Sequence, residues 1–208
     1  MAFGDFTLQD VSTRFDLTID ESGDLFATTP EMAPGDRLES FLADNGPLAR
    51  ALNTEKARSE FLIAPILAEV RIRLDRRVGL FSGVEFSPAP EHGLNGVCDF
   101  LFSASNEQFF VRAPVLVIVE AKNENIKGGL GPCVAAMIGA RLFNERQSYD
   151  RRAIHGAVTT GTLWQFLTLE ANVLRIDIKE YYVENVAKIL GIVAAMLSDD
   201  LDRTRLVA

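Results

Sequence analysis

The run Val115-Leu116-Val117-Ile118-Val119, ending in Glu120-Ala121-Lys122, constrains the fold more than any other feature of the chain. An apolar stretch of strand length without polar alternation predicts a strand buried on both faces, in the interior of a sheet with helices packed on each side. Side chains alternate along a strand, so Glu120 and Lys122, two apart, project to one face at the end of that strand. Charges at the end of a buried strand need a partner. Glu120 and Lys122 are either a structural ion pair or half of a metal site.

The flanking pattern supplies the rest of an α/β layer. Upstream, strands are expected over 80–86 and 96–103, with 108–111 extending the second as a hairpin. Downstream, 128–131 is rich in glycine and reads as a turn before a helix from about Pro132 to Gln147. Small residues Ala135, Ala136, Gly139 and Ala140 suit close packing of that helix on a sheet. Strands follow near 155–160, 163–170 and 173–178, with Gly161-Thr162 as the turn between the first two, then a last amphipathic helix over 181–197. Before the sheet, Leu38, Phe41 and Leu42 mark a helix that Asn45-Gly46-Pro47 should break. A second helix starts near Thr54, with Phe61, Leu62, Ile66, Leu67 and Val70 on its apolar face and a kink or break at Pro65. Residues 1–35 read as a loose N-terminal extension, and 36–208 as the domain. The order of elements predicts a mixed α/β sheet flanked by helices.

Composition narrows the function classes. With 208 residues, 48% hydrophobic and 24% charged, the chain has enough apolar material for one sizeable core. No apolar run reaches the length of a membrane span, and the N-terminus lacks a basic segment followed by an apolar one, which predicts a cytoplasmic location. Cys98 and Cys133 have neither zinc-ligand nor disulfide-framework spacing, so both are expected to be reduced and buried. The net charge of −8 argues against a protein that coats nucleic acid, yet is compatible with a local basic face beside an acidic metal site.

Asp99 lies among apolar residues in Gly96-Val97-Cys98-Asp99-Phe100-Leu101-Phe102, 21 positions before Glu120. That separation lets one strand end, turn, and return beside the first. Two adjacent strands can then present both carboxylates to one divalent ion, and hard oxygen donors suit Mg²⁺ or Mn²⁺.

Together these residues resemble the PD-(D/E)xK nuclease superfamily, whose fold is called restriction-endonuclease-like. Asp99 matches the first acid, and Glu120, Ala121 and Lys122 match the D/E-x-K triplet. Over about 54–170 the chain resembles a bacterial subgroup of that superfamily, through Val119-Glu120-Ala121-Lys122, Gly129-Leu130-Gly131 and the stretch Val158-Thr159-Thr160-Gly161-Thr162-Leu163-Trp164-Gln165-Phe166. The resemblance implies that Asp99, Glu120 and the Ala121 carbonyl hold metal, and that Lys122 positions or deprotonates the attacking water. It implies Glu60 as a further ligand, direct or through water. The implied partner is nucleic acid, DNA ahead of RNA, and the resemblance leaves room for a homodimer. Two positions depart from the family pattern: Cys98 replaces a proline before Asp99, and Pro132 stands where relatives often carry glutamine.

Arg71, Arg73, Lys127, Arg151 and Arg152 are candidate phosphate contacts, against the plainer reading of a solvated charged face. Trp164 and Phe166 read as packing rather than base stacking, and His155 as a residue packed near a strand start. Two functions follow: a metal-dependent nuclease, or a catalytically silent scaffold of the same fold that binds a partner. Asp99, Glu120 and Lys122 favour the first; Pro132 and the acidic surface favour the second.

Overall fold

A computed structural model describes residues 1–149 and 153–204, with side chains through Ser198. Its centre is β4 (Val115–Ala121), in which every residue except Glu120 is buried. β3 (Leu94–Ser103) runs antiparallel beside β4, and β2 (Gly79–Ala89) runs antiparallel beside β3 at the sheet edge. On the other side of β4, β5 (Ala153–Thr159) is parallel, and β6 (Leu163–Glu170) and β7 (Val173–Ile176) continue antiparallel. The short strands β1 (Thr18–Asp20) and β8 (Tyr181–Tyr182) complete the eight: β1 runs parallel to β7 and β8 pairs with β6. The architecture is therefore a mixed α/β sheet flanked by helices, as the apolar run in β4 predicts.

A parallel β4–β5 pair needs a crossover, and α5 (Ile126–Arg146) supplies it across one face. Its far end is anchored by Asn144, whose buried side-chain amide donates to the Val115 carbonyl at 2.8 Å and accepts from the Val115 N–H at 2.7 Å. The opposite face is covered by α4 (Ala64–Arg73) and α6 (Val186–Thr204), with Leu38 of α2 (Asp36–Leu52) joining the same core. Trp164 is fully buried there, stacks on Phe166 at 6.0 Å between ring centroids, and donates its indole N–H to Gly161. Both aromatics are packing residues. Trp164→Ala is expected to lower unfolding free energy by about 3–5 kcal/mol, from lost burial and the cavity left behind, as read by urea denaturation.

Four elements differ from their sequence pattern. Residues 1–35 are not a loose lead-in: Phe3, Phe6 and Val11 are buried under α5, and β1 extends the main sheet. The glycines at 128–131 are not a turn but lie inside α5, whose N-cap is Asn125, with Pro132 well past the first turn. Their function is close approach, because a Cβ at Gly129 would meet Val158 at 2.5 Å and one at Gly131 would run into the Phe6 carbonyl. Asn45-Gly46-Pro47 does not end α2; the apolar stripe continues through Ala49, and Gly46 is buried against Leu62. Residues 108–111 form no strand: Phe109 is 97% exposed, and Val111 alone of the four packs against the core. In addition, the last helix starts at Val186, because Tyr181 and Tyr182 are drawn into β8. The expected break at Pro65 appears as a π-helical turn, Ser59–Ile63, between α3 (Glu55–Arg58) and α4.

Candidate metal centre

The site lies where β3 and β4 part. Their ladder pairs Phe100 with Val119, and the next residues in register are Asp99 and Glu120. There the ladder is replaced by a side chain: the Asp99 Oδ2 accepts the Ala121 N–H at 2.7 Å. The local sequence explains the opening. Gly83, with a positive φ of 61°, lies between the pairs Ser82–Phe100 and Val84–Cys98, directly across β2 from Asp99. A left-handed backbone at that point bends the β2–β3 ribbon, and glycine adopts it without a Cβ penalty.

Lys122 follows on the end of β4, its backbone N–H donating to the Thr159 carbonyl at 2.8 Å and its ammonium 2.8 Å from the Glu120 Oε1. The side chains are mostly shielded from solvent, 13% exposed for Glu120 and 26% for Lys122. Gly129 of α5 leaves room for the Lys122 stem, since a Cβ there would lie 3.0 Å from its Cγ.

Electrostatics ties the residues into one cluster. Burial pushes the Glu120 carboxyl up to about 7; the Lys122 hydrogen bond opposes this, and the Asp99 charge adds to it. Burial also raises Asp99, against the Ala121 N–H and the Lys122 charge. Burial alone would lower Lys122, but the hydrogen bond and charge of Glu120, with Glu55 and Asp99, outweigh it and hold the ammonium above its usual range. Cys98 and Cys133 are free and buried as expected, and the Cys98 thiol is pushed up to about 12 by burial and by Glu120 and Asp99. It is inert as a nucleophile.

Asp99, Glu120, Ala121 and Lys122 are thus brought together. Glu60 is half exposed and pairs with Lys56 at 2.7 Å, one helical turn away. The helix carboxylate whose charge is felt at Glu120 and Lys122 is Glu55, beside the Thr54 N-cap. The sequence pattern assigns Glu55 to a solvated first turn; the Thr-Glu pair marks a helix start but does not say what that start faces.

Among the candidate phosphate contacts, Arg71 donates to the Val78 carbonyl, and Arg73 is held by Glu69 and the Ala33 carbonyl. Arg73 thus has two of its nitrogens bonded within the fold, and Arg71 one. Lys127 is exposed on the first turn of α5, and Arg151 and Arg152 lie outside the described residues. His155 shares a hydrogen bond of 3.1 Å with Thr168 across β5 and β6.

Among the described residues, no three His, Cys, Asp or Glu side chains form a metal-binding group. The donor set here is smaller: two carboxylates and one backbone carbonyl, all oxygen. Such a set fits Mg²⁺ or Mn²⁺, which keep several waters and are often held by one or two carboxylates plus substrate phosphate. No family model and no curated protein matches the chain.

Proposed function

We propose that this chain is a metal-dependent phosphodiesterase of the PD-(D/E)xK type on a restriction-endonuclease-like fold, hydrolysing phosphodiester bonds in DNA or RNA. The observation that carries the reading is the convergence of Asp99, Glu120 and Lys122 at the parting of β3 and β4, with the Ala121 N–H held by Asp99. A merely structural ion pair would need only Glu120 and Lys122. Asp99 adds a second, half-buried carboxylate that raises Glu120 further, a cost that a bound cation removes.

Asp99, Glu120 and the Ala121 carbonyl would hold the ion. When bound, Mg²⁺ or Mn²⁺ supplies Lewis acidity toward a phosphoryl oxygen and a lowered pKa for water. Lys122 stays an ammonium while Glu120 holds it, so it donates hydrogen bonds rather than accepting a proton. In that state it orients the attacking water and offsets the negative charge growing on the phosphate. The Lys122 N–H, bonded to the Thr159 carbonyl, fixes the peptide whose Ala121 carbonyl would face the ion, and Asp99 holds the preceding peptide through the Ala121 N–H.

The test is incubation of the protein with plasmid and single-stranded DNA and RNA over a Mg²⁺ and Mn²⁺ titration. Cleavage that requires the ion is expected. Absence of both cleavage and Mn²⁺ binding, measured by calorimetry, would favour the silent scaffold instead.

A further inference from the structure

The strongest polar network outside the carboxylate cluster centres on Arg58, the last residue of α3. Its Nη1 donates to the Thr160 carbonyl at 2.8 Å and to the Thr162 Oγ1 at 3.3 Å. Its Nε and Nη2 both donate to the Asn53 Oδ1, at 3.2 and 2.8 Å. Asn53, the left-handed C-cap of α2, passes the connection on, its Nδ2 donating to the Glu124 Oε1 at 3.0 Å. Among the described residues Arg58 makes no salt bridge, so its guanidinium is committed to neutral acceptors in fixed directions.

Those acceptors lie on two segments, the elbow between α2 and α3 and the β5–β6 hairpin, and Asn53 extends the link to Glu124, on the chain just after Lys122. The hairpin is joined to the site directly, because the Lys122 N–H donates to the Thr159 carbonyl. It is also stiff in itself: the Thr159 Oγ1 accepts from Gly161 N–H and donates to the Leu163 carbonyl, both at 2.8 Å. Gly161 packs hard on the π-helical turn that follows α3, where a Cβ would lie 3.0 Å from that of Leu62. A planar guanidinium with several donors suits this task; a lysine ammonium cannot reproduce the fork.

We infer that Arg58 is a positioning residue that clamps the C-terminal end of β4 from both sides, through Thr160 and through Asn53–Glu124, and so fixes Lys122 and the Ala121 peptide for hydrolysis. The inference rests on the phosphodiesterase reading for its catalytic consequence, while the clamp itself is a property of the fold.

Two variants of the full chain test it, Arg58→Ala and Asn53→Gly. The second cuts only the Asn53 arm, and glycine accepts the left-handed backbone at that position without strain. Amide hydrogen exchange is followed over 119–124 and 159–163, beside steady-state plasmid cleavage in Mg²⁺. Exchange should quicken over 119–124 in both variants. Cleavage kcat should fall about 10–100-fold in Arg58→Ala, as for outer partners of metal sites, and less in Asn53→Gly. KM should change by less than about twofold, because no substrate contact is lost. Unchanged exchange over 119–124 would refute the clamp. Faster exchange with unaltered kcat would refute the positioning role, as would an equal loss in kcat and substrate affinity. If the wild type cleaves nothing with either ion, the positioning role falls with the phosphodiesterase reading, and exchange still reports separately on the clamp.

Discussion

Lys122→Ala and Asp99→Asn should each reduce Mg²⁺-dependent cleavage by about 10³-fold, with the folded state retained. The two losses have different origins. Lys122→Ala removes the only ammonium that the cluster holds against Glu120, leaving that carboxylate unpaired in a site it barely shares with solvent. Metal binding should survive or tighten, because the internal competitor for Glu120 is gone. Asp99→Asn keeps an acceptor for the Ala121 N–H through its amide oxygen but removes one of two charges from the donor set. Metal affinity should fall together with rate. Isothermal calorimetry with Mn²⁺, beside plasmid nicking, separates the two. Cleavage that persists in both variants would remove Asp99 and Lys122 from the chemistry. Glu60→Gln should change neither reading appreciably, given its pairing with Lys56 on an exposed helical face.

The second large effect is on stability as a function of pH. Glu120 has its carboxyl raised to about 7 in the folded protein, against an ordinary value of 4.5. The folded state therefore binds more protons than the unfolded state across that interval, and stability falls as pH rises through it. Asp99 is shifted in the same direction by burial and adds to the same trend. Lys122 is raised, so its contribution is present below the ordinary lysine range and is lost only in strongly alkaline solution, outside the interval. From Glu120 alone the decline is on the order of 3 kcal/mol, or about 5–10 °C in Tm for a domain of this size. Measured as the difference between wild type and Glu120→Gln, the gap should widen in favour of the variant from pH 5 to pH 8. Mg²⁺ should restore the wild type at pH 8 and do little at pH 5, since proton and ion compete for one carboxylate. Melting curves at four pH values with and without Mg²⁺ decide this. Parallel curves for wild type and variant would mean that Glu120 is not the strained group.

Much of the sheet is legible along the chain because its cause is local. The unbroken apolar run of β4, the alternation in β6, and Gly161 at φ 81° between β5 and β6 each carry their own signal. Thr54 as an N-cap and the disturbance near Pro65 are equally local. Failures occur where a distant contact overrides the residue pattern. Glycines at 128–131 look like a turn until Val158, Lys122 and the Phe6 carbonyl are seen pressing on them; a helix then needs glycine for access rather than for flexibility. Residues 1–35 look loose when read alone, yet Phe3, Phe6 and Val11 find a ready-made surface on α5.

The same division runs through the site. The spacing of Asp99, Glu120 and Lys122, read with strand alternation, was sufficient to place three side chains at one end of one strand pair. How they are used depends on contacts made across the fold. Asp99 turns its carboxylate onto the Ala121 N–H where the β3–β4 ladder ends, opposite Gly83 of β2, and Lys122 is held as an ammonium because Glu120 lies within 2.8 Å of it. The identity of the nearby helix acid was likewise beyond reach of the sequence. Glu55 and Glu60 are five positions apart on neighbouring turns, and the packing of the α2–α3 elbow, fastened by Arg58 to the β5–β6 hairpin, sets which of them lies near Glu120 and Lys122. Alternation along a strand is a property of the backbone alone, whereas the direction a helix presents to a sheet is set by contacts between segments far apart in the chain.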